Sequence, residues 1–201
     1  MFHRVQTKEE HFVFEQFWGD FCEERKIQFI ERNLQPERFL LIGAENRYIG
    51  TVECAKYEHP HESNSEYFYP FSTHPTIIKE RKWKRIYEIG KFSIERQFRG
   101  QGYFKRLVVI LFIHALETKA TAYITVVTKR MYMYLRFLGF QMHTLDKEFK
   151  INEFVIGVPI MIDAYEGIKH LYSIKEIRDV IKMNAHAMQL LRGNDNKVML
   201  T

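Results

Sequence analysis

Cysteine is scarce in this chain. Only Cys22 and Cys54 occur among 201 residues, on what read as a helix and a strand without framework spacing, which argues against a disulfide scaffold and for reduced thiols in a cytoplasmic setting. Long apolar runs are lacking too. The longest, residues 107–113, falls well short of the ~20 residues that cross a bilayer, so no membrane span is expected. The opening "MFHRVQTKEEHFVFEQF" has no basic region leading into an apolar block and no small-residue cleavage site. Internal repeats and low-complexity tracts are missing as well. What the chain does have is apolar content: 46% hydrophobic residues, with 17 Phe and 11 Tyr, supply a core and exclude disorder for want of one. Its net charge of +5 favours an anionic ligand or partner, whether cofactor phosphates, nucleic acid or an acidic protein.

The patterning predicts a strand at "FHRVQT", a helix opened by a Thr7/Glu10 capping box and running to about Glu24, and a second helix over Lys26–Leu34 that stops before Pro36. "RFLLIGAENRYIGTVECAKYEH" supplies two strands around a polar turn. "PHESNSEYFYPFSTHPTIIKERKW" reads as a long loop or lid, and connections of that length are usually functional. "RIYEIGKFSIER" is a strand, Tyr103 to Lys119 a helix, and "AYITVVT" a strand. Thr128 caps a helix through about Phe137 that Gly139 ends. "FQMHTL" and "EFVIGVPIMID" read as a closing strand pair, and Ile174–Leu191 as a final amphipathic helix. Residues 1–170 are expected to form the main domain and 171–201 a terminal helix and polar tail. The strand, helix and strand within 85–127 form a crossover unit, so part of the sheet is parallel and the fold is mixed α/β.

"QFRGQGYFKRL", residues 97–107, lies between that strand and that helix. A helix N-terminus offers free N–H groups and the positive end of its dipole, and glycine lets backbone approach a phosphate closely. The sequence has no G-x-x-x-x-G-K-[ST], and its G-x-G lacks the third glycine of a dinucleotide fingerprint. On spacing alone, a phosphate cradle and an ordinary strand-to-helix turn both stay open.

Gln97, Gly100 and Gly102 match [QR]-x-x-G-x-[GA]. With "FSIER" before it and "YLRFLGF" beyond the next strand, this stretch resembles the acyl-CoA motif of the GNAT superfamily of N-acetyltransferases, and the element order matches over about residues 2–163. The resemblance implies a central mixed, twisted sheet of about seven strands flanked by helices, and acetyl-CoA or another acyl-CoA as donor. It implies that backbone N–H groups of Arg99, Gly100, Gln101, Gly102 and Tyr103 hold the pyrophosphate, that Gln97 braces the loop, and that the backbone at Phe92 and Ile94 pairs with the pantetheine arm. Lys105 and Arg106 are candidates for the ribose phosphate, or else belong to a solvated first turn.

Transfer to an amine needs a base and a donor for the oxyanion. Glu88 stands where some superfamily members carry a glutamate base. It is the candidate base or ammonium holder, the alternative being a strand-surface glutamate paired with Lys91 or Arg85. The family's tyrosine acid often lies four residues before the glycine of the Leu-Gly-Phe step. This chain has Leu135 there, with Tyr134 about 100° round the helix, so Tyr134 or Tyr132 is the candidate acid, or a packing aromatic.

Cys54 lacks a nearby His and Asp arrangement for covalent chemistry, and Glu58, His59, His61 and Glu62 do not make a ligand set, so no metal is expected. "KERKWKR", residues 79–85, is either a solvated approach to a strand or a dock for an acidic partner; no nucleic-acid motif accompanies it. "EIGK", Glu88 to Lys91, after a long segment is similar to the acyl-homoserine-lactone synthase and N-acyl amino acid synthase branch, which takes acyl chains from acyl carrier protein. That branch usually has arginine where this chain has Lys91. The sequence therefore points to an acyltransferase acting on a small-molecule or peptide amine. A carrier-protein-dependent synthase, a non-catalytic acyl-CoA-binding module and a homodimeric assembly stay open.

Overall fold

The computed structural model describes residues 2–28, 31–32 and 35–193. In chain order the elements are β1 (Phe2–Arg4), α1 (Lys8–Arg25), β2 (Glu37–Ile42), β3 (Tyr48–Lys56), α2 (Ser65–Phe68), α3 (Pro75–Glu80), β4 (Ile86–Ile94), α4 (Tyr103–Thr118), β5 (Ala122–Thr128), α5 (Lys129–Phe137), β6 (His143–Thr144), β7 (Phe149–Lys150), β8 (Ile156–Asp163), α6 (Ala164–Ser173), α7 (Lys175–Lys182) and α8 (Ala185–Arg192).

Thr7 and Glu10 form the expected capping box, each side chain accepting the other's backbone N–H. The helix then stops where Lys26 turns left-handed at φ 52° and closes its N–H onto Cys22 and Glu23. That turn ends the hydrogen-bond ladder. The second helix expected from Lys26 is therefore corrected: among the described residues of 26–36 none is helical, while residues 29, 30, 33 and 34 lie outside the description.

Eight strands make one sheet in the order β1-β2-β3-β4-β5-β8-β6, with β7 also on β8. All pairs are antiparallel except β4 with β5, which α4 joins as the crossover helix. Leu107, Ile110, Phe112 and Ile113 of α4 pack on Phe39, Leu41, Val52, Tyr87 and Ile89 on one face of the sheet. The helices after β8 join the same core through Ile168, Leu171, Ile177, Ile181, Ala187 and Leu191. The single terminal helix expected over Ile174–Leu191 is two, because Asn184 leaves helical geometry and caps α8 through the N–H of Ala187. Helix α6 was not anticipated; Asp163 starts it by accepting the N–H groups of Tyr165 and Glu166.

The opposite face is covered by α1, which seats Phe14 on Leu40, and by the 60–83 segment. That segment was expected to be a loop. It folds into two 3-10 turns with α2 and α3 because Phe71 and Ile77 are core residues, buried against Ile86, Ala122, Ile124 and Met161.

Candidate active site

Strands β4 and β5 begin as neighbours and then part. Their register covers only Ile86–Glu88 against Ala122–Ile124, although β4 continues to Ile94 and β5 to Thr128. Beyond Glu88, β4 pairs with β3 alone and β5 with β8 alone. Among the described residues, one edge of β4 from Ile89 to Ile94 thus has no strand beside it.

A bulge shapes that edge. Thr51 pairs with Ser93 and Glu53 with Gly90, so Val52 faces two residues, Lys91 and Phe92. Lys91 takes a left-handed φ of 46°, which is strained for a residue with a side chain. The extra residue reverses the alternation. Tyr87, Ile89, Phe92 and Ile94 all meet the α4 core, while Glu88 and Lys91 turn to the α1 face.

The loop after β4 has the form of an anion cradle. Gly100 and Gly102 take φ values of 80° and 83°, and a Cβ at either would meet nothing within 4 Å. Among the described residues no hydrogen bond uses the N–H groups of Gly100, Gln101, Gly102, Tyr103 or Phe104, and α4 starts at Tyr103. The N–H of Arg99 is different, since it closes a 3-10 turn onto Arg96, and the Arg99 side chain turns back to the Ile94 carbonyl and to Glu24, each at 2.7 Å. Gln97 donates to Glu95 at 2.5 Å, and its own carbonyl accepts the Gln101 side chain at 2.7 Å. Lys105 and exposed Arg106 lie on the first turn, where Arg106 covers the Tyr103 ring.

Tyr134, not Leu135, is the exposed one of the pair. Leu135 is buried in the core, whereas the Tyr134 ring meets Phe104 edge-on at 5.1 Å and Phe104 meets Phe92 at 5.8 Å. This aromatic line crosses from α5 over α4 to β4. Tyr132 points elsewhere, its hydroxyl 3.0 Å from Thr144 Oγ1, a contact that lowers its pKa.

Glu88 occupies the last paired position before the strands part. It is 1% exposed and pairs with neither Lys91 nor Arg85. Its carboxylate accepts the Ser63 hydroxyl at 2.6 Å and the N–H groups of Ser65 at 2.8 Å and Asn64 at 3.3 Å, which clasps the 60–83 segment to β4. Beside it lies a charge network that the sequence analysis missed. Lys91 Nζ donates to Glu15 at 2.8 Å and to Glu31, with Glu53 at 3.5 Å; Arg38 bonds Glu53 and Glu31, each at 2.8 Å, and Glu15 at 3.0 Å. Three carboxylates meet two cations. Burial raises the Glu53 carboxyl, with the charge of Glu31 adding to it against Lys91 and Arg38. Burial also pushes on Glu31, but its bonds from Lys91 and Asn64 prevail and leave it below the ordinary range. The one available signal was the broken alternation in "YEIGKFSI".

Cys54 loses ground as a nucleophile. It is fully buried, and burial holds its thiol well above its ordinary pKa, which disfavours the thiolate that nucleophilic chemistry needs. Among the described residues no group of three or more His, Cys, Asp or Glu gathers as metal ligands. Trp83 is 84% exposed at the basic segment. Lys84 is tied to Asp163 at 3.0 Å and Arg85 to the Thr118 carbonyl at 2.7 Å, which leaves Lys79, Lys82 and exposed Arg81, held to the Glu58 carbonyl at 3.4 Å, as its outward charges. No helix among the described residues is long and apolar enough to cross a membrane.

A model of the acetyltransferase (GNAT) family matches residues 6–140. The chain belongs to that family and is an acyltransferase. No curated protein sequence matches it. Among solved GNAT-like folds, FeeM, an N-acyl amino acid synthase from uncultured soil microbes, is 13% identical with a TM-score of 0.65 over 83% of this chain and 92% of that one. BjaI, a CoA-dependent acyl-homoserine lactone synthase, is 12% identical with a TM-score of 0.65 over 94% and 98%. A putative N-acetyltransferase from Lactobacillus plantarum is 10% identical with a TM-score of 0.58 over 82% and 97%.

Proposed function

We propose that this acyltransferase takes its acyl group from acyl-CoA and passes it directly to the amine of a small molecule or peptide. One observation carries the reading: the N–H groups of Gly100 to Phe104 are unused within the described protein and follow directly on a β4 edge left open from Ile89 to Ile94. Pyrophosphate suits the cradle, because the helix N-terminus supplies donors and positive potential and the glycines carry no side chain to block approach. The open edge suits an extended arm with amide groups, which adds to a sheet as a strand does. Lys105 and Arg106, on the first turn of α4, are the candidate cations for a further phosphate.

Acyl-CoA supplies an activated thioester. Backbone donors near Phe92 and Ile94 polarise its carbonyl, and the acceptor nitrogen forms the C–N bond as the C–S bond breaks. Glu88 receives the amine's proton, and the acceptor reaches it by taking the place of one donor from Ser63–Ser65. Tyr134 is the residue for returning a proton to the leaving thiolate. BjaI, described as CoA-dependent, shares this build and supports a CoA donor. Exposed Trp83 with Lys79, Arg81 and Lys82 favours a second reading, in which an acidic acyl carrier protein delivers the acyl group.

Calorimetry with CoA tests the first reading. Micromolar or tighter binding is expected, and Gly100→Arg should abolish it while leaving the circular dichroism spectrum intact. Equal binding by that variant refutes the cradle.

A further inference from the structure

Asn64 stands where four pieces of the chain meet. Its Nδ2 donates to Glu31 at 2.7 Å and to Glu53 at 3.0 Å, its Oδ1 accepts the backbone N–H of Arg32 at 2.8 Å, and its own N–H donates to Glu88 at 3.3 Å. It is 5% exposed. Glu31 and Arg32 come from the stretch between α1 and β2, Glu53 from β3 and Glu88 from β4, while Asn64 itself belongs to the clasped 60–83 segment.

The chemistry at this point is specific. Two carboxylates require donors and a backbone N–H requires an acceptor, and a primary amide offers both from one short side chain. The same pattern fixes which way the amide points, since the reverse orientation would set its oxygen against Glu31 and Glu53. Glu31 and Glu53 are also the carboxylates that Lys91 and Arg38 hold. Asn64 thus joins the Glu88 clasp to the charge network.

We propose that Asn64 is a positioning residue for the acceptor side of the active site. It fixes Glu88 and the Glu31, Glu53 and Lys91 network in one arrangement, so that the position of the proton acceptor and the charge around the incoming amine are set together. The functional half of the inference rests on the role given to Glu88 above; the structural half does not.

The isosteric change Asn64→Asp is the sharp test. It keeps the acceptor for Arg32 but turns two donors into a carboxylate facing two others, a defect that a shared proton repairs. Asn64→Ala removes both functions at every pH. In the full-length protein without substrate, hydrogen exchange at the amides of residues 63–66, corrected for the intrinsic pH effect, should rise about tenfold or more in both variants. It should fall back toward wild type near pH 5 in Asn64→Asp alone. CoA affinity should stay within about twofold of wild type. Acetyl-CoA hydrolysis, with water as the probe acceptor, should follow the exchange pattern, falling about tenfold or more at pH 8 and recovering at low pH only in Asn64→Asp. Wild-type exchange in both variants overturns the proposal, and so does an equal change in both with no pH recovery, which is the mark of lost packing alone. If Asn64→Asp does not fold at pH 8, refolding on acidification is the same signature and its failure counts against the idea. Should Glu88→Gln leave hydrolysis unchanged, the base assignment fails, and the exchange data still decide the role of Asn64.

Discussion

Thr51 Oγ1 donates to the carbonyl of Lys91 at 2.7 Å, closing the β4 bulge from the neighbouring strand. Thr51 is fully buried, and the bulge carbonyl has left the regular ladder between β3 and β4. Thr51→Val keeps the shape and strips the donor, so it should destabilise the fold by about 1–3 kcal/mol in chemical denaturation. Lys91→Gly separates the two burdens on that position. Glycine accepts the left-handed backbone without strain, yet Glu15, Glu31 and Glu53 lose one of the two cations of their network and keep Arg38, with Asn64 still donating to Glu31 and Glu53. A net loss of about 3–5 kcal/mol is expected, and a variant as stable as wild type would show that the ammonium contributes little.

The same network sets a pH response with two opposed parts. Glu53 lies above its ordinary pKa in the fold, through burial, so its contribution favours the native state at low pH and is lost as pH rises through that raised value. Glu31 lies below its ordinary value of 4.5, so its contribution is present above about pH 4.5 and lost as pH falls through the lowered value. Thermal unfolding should therefore show stability holding or rising as pH falls from neutral toward 5, then dropping below 4.5. Glu31→Gln should weaken the drop, and an unaltered acid limb would remove Glu31 from its cause.

How much of this was legible depended on whether the signal was local. The Thr7 capping box, the Gly100 and Gly102 turn and the Thr128 cap are short-range events, and the chain follows them. Lys26 could not be read as a stop, because a lysine in left-handed geometry has no side-chain signature. Phe71 and Ile77 anchor the 60–83 segment on Ile86 and Ile124, contacts that polar neighbours and the prolines at 60, 70 and 75 disguise. The bulge was written in "YEIGKFSI", where Lys91 breaks an otherwise regular alternation. Asn64 bonds residues at positions 31, 32, 53 and 88, a meeting that only the fold brings about.

The basic segment gives a prediction narrowed by its contacts. Lys84 and Arg85 hold Asp163 and the Thr118 carbonyl, so replacing them would confound docking with stability. Lys79→Ala, Lys82→Ala and Trp83→Ala together touch only exposed side chains and should shift stability by no more than about 0.5 kcal/mol each. If an acidic carrier protein docks here, its association should slow in the triple variant and depend less steeply on salt, with CoA binding unchanged. Identical association rates at low salt would exclude this surface as the dock.

Glu88→Gln bears most directly on catalysis. The replacement keeps the length and burial of the side chain but sets an amide NH2 against one of the donors of Ser63, Asn64 and Ser65, so it loosens the clasp as well as removing a proton acceptor. Ser63→Ala is the control, because it removes one donor to Glu88 and the acceptor of the Glu66 N–H but leaves the carboxylate in place. If Glu88 takes the acceptor's proton, Glu88→Gln should lower kcat by about 10²-fold or more at neutral pH, with the deficit narrowing at high pH, where the amine is already neutral. Ser63→Ala should keep the wild-type pH profile whatever its rate. A parallel profile for both variants would assign Glu88 to the clasp alone and leave the proton to another group.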